Sequence, residues 1–217
     1  MRNRIIGMDG MAQMEQPVDY ERINALYAEV TQCKNYLSDT EACVISAAQG
    51  GMSLTVGMKQ HRVEASIRIK ECLAEIAKLE GQDPEYTELE LAKMRKKAEI
   101  SLYDQSAEVN KFSLQGKQIW LPKETRVGLA NSIAIEKAAK KESTTLWYDG
   151  VKYDLPIANA QKMLSDLELY ALECYNVTHK HFAEVDKLTS METIKAYNYK
   201  TGYPAKQNFD YKEIRVC

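Results

Sequence analysis

The sequence predicts an α+β protein: a helical hairpin or coiled-coil N-terminal half, then a duplicated β-hairpin–helix unit whose two hairpins join into a small four-stranded sheet packed on helices. Three observations carry this. One unit is written twice between residues 112 and 170, with Gly116 matching Gly150, Leu121 matching Leu155 and Pro122 matching Pro156, at an offset of about 34 residues. Apolar residues from Ile23 to Ala47 recur at spacings of three and four, as in a coiled-coil seam. Near Asn110 the period switches from helical to alternating.

Residues 1–17 are rich in Met, Gly and Gln and lack periodicity, which reads as a flexible tail. The helical region follows over 18–110. Asp19 is placed to cap a helix starting near Tyr20, and Ile23, Leu26, Val30, Cys33, Leu37, Thr40, Val44 and Ala47 form its seam until Gly50-Gly51 breaks it. A second helix is predicted over 58–79 with Ala65, Ile69, Cys72, Ile76 and Leu79 on its seam; Gly81 and Pro84 end it. A third runs over 85–110 with Leu89, Ala92, Met94, Ala98 and Leu102 as its apolar set. Short breaks imply antiparallel neighbours. A pair of helices buries little alone, so oligomerisation through Ile23, Leu26, Val30, Leu37 and Val44 is expected.

Over 111–204, Gln115-Gly116 and Asp149-Gly150 each sit between short β-prone runs. Two-residue hairpin loops need positive φ, which Gly adopts without steric cost. Pro122 and Pro156 close the second strand of each hairpin, because proline cannot donate to a ladder, and they suit a helix start. Helices are predicted over 125–140 and 156–188, the second with a buried stripe of Ile157, Leu164, Leu167, Tyr170, Ala171, Cys174, Val177 and Val185. A lone hairpin is marginal in water, so the duplication supplies mutual burial. A short helix is predicted near 189–197. Tyr197, Tyr199, Tyr203, Phe209 and Tyr211 then punctuate a Lys-rich stretch, with residues 205–217 as the C-terminal tail. Tyr197, Tyr199 and Tyr203 are candidate anchors at a protein interface, where aromatic side chains are enriched.

The 217 residues carry a net charge of −2, which argues against a dedicated nucleic-acid binder, and 45% hydrophobic residues suffice for a core. No apolar run reaches membrane-spanning length, and the N-terminal residues do not form a signal peptide. The five cysteines are scattered without Cys-x-x-Cys, as in a reducing compartment. Cys174, His179 and His181 are the nearest approach to a metal cluster, but a fourth ligand is missing and His179 points away, so the reading is a core thiol with two surface histidines. Asp166, Glu168, Glu173, Glu184 and Asp186 fall off the apolar stripe, on a solvated face. Lys93, Arg95, Lys96 and Lys97 read as a salt-bridged helix face. Gly116-Lys117 lacks the spacing of a phosphate-binding loop. No catalytic residue, metal or cofactor is assigned.

Residues 110–204 also carry Phe112-x-Leu114-x-Gly116, Ile119-Trp120-Leu121, Thr125-Arg126, Thr144-Thr145-Leu146-Trp147, the run Met163-Leu164-x-x-Leu167-Glu168-x-Tyr170-Ala171-x-x-Cys174-Tyr175-Asn176-x-Thr178, His181, and Gly202-Tyr203-Pro204. This string resembles a domain of unknown function that recurs in phage and prophage tail-fibre, tail-associated and fibre-assembly proteins, notably those of gut Bacteroidetes. It covers a little under half the chain. The resemblance implies a non-enzymatic structural component of a bacteriophage-like virion, assembled in the bacterial host cytoplasm. Its partners would be itself and other virion proteins, with no membrane; the near-balanced charge disfavours nucleic acid, which the Tyr/Lys stretch would otherwise contact. The alternatives are a tail-fibre assembly chaperone and a particle-borne hydrolase.

Overall fold

Helix α1 (Tyr20–Asp39) starts where the Asp19 carboxylate accepts a hydrogen bond from the Arg22 backbone N–H at 2.9 Å, which satisfies one of the donors left open at a helix start. The computed structural model describes residues 18–49 and 54–211, with the backbone of 215–216. The expected tail over 1–17 and the Gly50-Gly51 break lie outside the described residues. Ile23, Leu26 and Val30 are buried against Cys72 and Ile76 of α3 (Val56–Leu79). The ion pairs Arg22–Glu75 at 2.8 Å and Glu29–Arg68 at 2.6 Å step in opposite directions along the two helices, so they run antiparallel.

The predicted seam divides where it meets Thr40. That hydroxyl donates back to the Tyr36 carbonyl at 2.8 Å, an alternative to regular helix bonding. The chain resumes as α2 (Glu41–Ala48), which buries no residue. Glu41, at its start, pairs with Arg62 of α3 at 2.7 Å. Ile23, Leu26 and Val30, expected to face a second chain, are filled by α3 of the same chain, while Leu37 and Val44 stay partly exposed.

Helix α4 (Glu88–Asp104) opens with a reciprocal capping box, in which Thr87 and Glu90 each satisfy the other's backbone N–H. Its buried residues are Leu91 and Ile100, whereas Leu89, Ala92, Met94, Ala98 and Leu102 are only partly covered. The reason is that α4 touches α3 and three later helices, so no single stripe faces one core. A short turn of helix, α5 (Ala107–Asn110), leads into the sheets.

Strands β1 (Phe112–Leu114) and β2 (Lys117–Ile119), and later β3 (Ser143–Tyr148) and β4 (Val151–Pro156), form two antiparallel hairpins. Both loops place both residues at positive φ: 51° and 74° at Gln115-Gly116, 49° and 74° at Asp149-Gly150. That is the primed turn whose twist matches the flanking strands. Pro122 is the N-cap of α6 (Lys123–Ala138), and Pro156 ends β4 and caps α7 (Ile157–Lys187). After α8 (Met191–Ala196) come two strands of two residues, β5 (Asn208–Phe209) and β6 (Arg215–Val216).

The hairpins do not join into one four-stranded sheet. They form two three-stranded sheets, β2-β1-β5 and β3-β4-β6. The segment expected as a tail from residue 205 contributes a third strand to each: β5 pairs parallel with β1, and β6 antiparallel with β4. What unites the repeats is burial. Phe112, Leu114 and Ile119 of one sheet share a core with Leu146, Tyr153 and Leu155 of the other, closed by Ile133 of α6, Phe209, and Ile157 to Leu167 of α7.

The positive-φ glycines give a prediction of sign. A Cβ on Gly116 or Gly150 would meet nothing within 4 Å, so the cost of alanine there is purely backbone. Gly150→Ala should destabilise by about 1–2 kcal/mol in urea denaturation. Gly128→Ala, equally open but with an ordinary φ inside α6, should stabilise by about 0.5–1 kcal/mol.

Candidate interaction surface

Two regions of α7 carry the groups that chemistry or binding would draw on. The first is its C-terminal half. Cys174, Thr178 and His181 lie on the buried stripe. His181, expected at the surface, is 8% exposed, because the segment after α8 folds back over it. Its Nε2 faces the Thr201 carbonyl at 2.9 Å, which only accepts, so Nε2 carries the hydrogen. In the neutral ring, Nδ1 then accepts from the Tyr197 hydroxyl at 2.7 Å.

One turn away, Thr178 and Tyr203 share a hydrogen bond of 2.8 Å, and the Thr178 hydroxyl also bonds the Asp104 carboxyl. Burial pushes the Asp104 carboxyl up, opposed by Thr178 and His179. Tyr103 packs edge-on against both Tyr199 and Tyr203, and Lys96 sits over the Tyr199 ring at 5.5 Å. Tyr203 bridges α4 and α7 through Tyr103 and Thr178, Tyr199 packs on Tyr103 and Lys96 of α4, and Tyr197 bonds His181 of α7, while all three stay partly exposed.

Cys174, read from the sequence as a core thiol, is buried at 3% exposure. Burial pushes the Cys174 thiol up to about 11, and the Tyr170 hydroxyl beside it donates to the Val109 carbonyl at 2.7 Å. A thiol held neutral is a poor nucleophile. His179 is exposed and lies over Tyr175 with ring centroids 4.1 Å apart, away from Cys174 and His181. Among the described residues no three His, Cys, Asp or Glu side chains are grouped as metal ligands. The basic run of α4 is paired: Lys97 with Asp186 at 2.6 Å, Arg95 with Glu71 at 2.7 Å, Lys96 with Glu99 at 2.7 Å, while Lys93 donates to the Asp186 carbonyl at 2.8 Å. These contacts tie α4 to α3 and to the end of α7.

The second region is the N-terminal half of α7, where α6 lies antiparallel beside it. Arg126 pairs with Glu168 at 2.6 Å and Lys137 reaches Gln161 at 3.0 Å, which holds the two helices at both ends. Between them runs a groove of about 650 Å³ with Val127, Ala130, Leu164, Leu169 and Leu172 on its walls. Val127 is 48% exposed, Leu169 60% and Leu172 55%. Its polar rim is neutral at Asn131, Gln161 and Ser165, and the one charged pair is internally satisfied. Sequence reasoning passed over this surface because it followed only the buried stripe. The signal was a second apolar row on α7, Leu169, Leu172 and Tyr175 at spacings of three.

Comparison with protein-family models, with curated proteins and with solved structures finds no match to this chain.

The buried cluster sets thiol reactivity and alkaline stability. Native protein treated with iodoacetamide at about pH 8 should label exposed Cys43 and spare Cys72 and Cys174, read by peptide mass spectrometry. Cys174 ionises at about 11 in the fold against a reference of 9.0, so the unfolded chain loses its proton first. This contribution to stability is intact below pH 9.0 and is lost as pH rises toward 11. Separately, Tyr197→Phe should cost about 1 kcal/mol, and His181→Ala about 2–3 kcal/mol, both measured by urea denaturation.

Proposed function

We propose that this chain is a non-enzymatic structural component of a bacteriophage-like virion, at work in protein–protein assembly. The observation that carries this reading is the uncovered apolar groove between α6 and α7. Contiguous exposed apolar surface of this kind, rimmed by polar groups, marks a contact with another macromolecule. It lies on the part of the chain whose motif string resembles the tail-fibre and tail-associated domain. The commitments of Cys174 and His181 to internal hydrogen bonds and burial also favour a scaffold over a reaction centre. In the same reading, α1 and α3 act as a coiled-coil arm, and Leu37 on α1 and Val44 on α2 contribute to attachment.

Mass spectrometry of particles purified from the strain that encodes the chain tests this. Stoichiometric recovery of the chain with the particles is the expected result. Recovery from the lysate but not from finished particles would replace the reading by an assembly chaperone. A chain absent from particles and from their precursors would sink both.

A further inference from the structure

Two apolar features of the chain are left without a partner among the described residues, and they have matching character. One is α2. Six of its eight residues are Ala, Cys, Val or Ile, and none is buried, with Ile45 50% exposed. A helix that is apolar on every side is ordinarily enclosed by other chain. Here α3 buries none of it. Its one acidic group, Glu41, is already paired with Arg62 at 2.7 Å. Beyond that residue α2 presents no charge.

The other feature is the α6–α7 groove. Its walls are aliphatic, its uncompensated rim groups are neutral, and its Arg126 and Glu168 satisfy each other. An acidic or basic segment would gain nothing there and would lose solvation. An uncharged apolar helix would lose nothing of that kind. Lengths agree as well. From Gln161 to Leu172 the groove follows α7 for about 16 Å, and eight residues of α2 extend about 12 Å at the helical rise.

We propose that α2 of one copy seats in the α6–α7 groove of a second copy, with Ile45 as the anchor against Leu169 and Leu172. This rests on the assembly role proposed above and names the partner as the chain itself. The mode is that of an amphipathic or apolar helix laid in a hydrophobic groove. The two surfaces are different patches of one molecule, so the contact is heterologous. Such a contact repeats from copy to copy until geometry closes it, giving rings or filaments rather than only a two-fold pair.

Sedimentation velocity on the full chain at up to about 100 μM tests it, with Ile45→Lys and Leu172→Lys as the disrupting variants. Wild type should associate in a concentration-dependent way. Each variant alone should associate at least about 30-fold more weakly, as expected for losing one buried aliphatic anchor. Mixed one to one, the two variants should recover a single contact, since the intact α2 of Leu172→Lys meets the intact groove of Ile45→Lys. The mixture should form a heterodimer and stop there. Far-UV circular dichroism and melting should match wild type, because both side chains are about half exposed; if Leu172→Lys fails that check, Leu169→Lys replaces it. A monomeric wild type, a variant that associates like wild type, or a mixture that stays monomeric overturns the proposal. Those results leave the particle-association test standing, so failure of this contact and failure of the assembly role are separable.

Discussion

Neither sheet can bury its own apolar face, and everything beyond residue 110 follows from that constraint. Strands β1 and β2 have three residues each, too few to stand without support. Helix α7 supplies it. One 31-residue helix offers Ile157, Ala160, Met163, Leu164 and Leu167 to the shared core. The same stripe then continues through Tyr170 and Cys174 to meet α4 and the returning segment. Two hairpins, α6, α4 and the stretch after α8 all lean on one rod. The rod is long enough that its outer side, at Leu169 and Leu172, remains uncovered.

The second half of α7 shows a different way of making a contact hold. Thr178 and His181 sit where an aliphatic stripe would place Val or Leu. A buried polar group left without a partner costs about 1–3 kcal/mol, so each of these side chains dictates what must lie over it. His181 requires an acceptor at Nε2 and a donor at Nδ1, and Thr201 and Tyr197 provide them. Thr178 requires Tyr203. An apolar stripe would accept several registers of the covering segment, whereas this one accepts a narrow set. With Tyr103 wedged between Tyr199 and Tyr203, the same residues also fix α4 in place.

Local chemistry made much of this legible in advance. The α+β class, the two matching bends at Gly116 and Gly150, and the long α7 could be read from signals within a few residues of each element: a Gly in a two-residue loop, a proline at the join, an unbroken helical period. What escaped was non-local. A strand of two residues such as β5 has no periodicity, and only Ser113 and Leu114, far back in the chain, define it. The two sheets likewise depend on β5 and β6, whose pairings with β1 and β4 span a long sequence separation. Leu91 and Ile100 on α4 were missed because a helix touched on several sides has no single period. The α6–α7 groove was half legible, since Leu169 and Leu172 stood in plain sight as a second row, but Val127 joins them only once α6 lies alongside.

The parallel pairing of β5 with β1 has a consequence for how the molecule comes into being. A ribosome emits Ser113 and Leu114 long before it emits Asn208 and Phe209, the residues that complete their ladder. Through that interval the nascent β1 carries an open edge and the shared core lacks Phe209. Newly made chains are thus most exposed to mispairing with one another while translation is still under way, and the hazard ends only when the last of the sheet emerges.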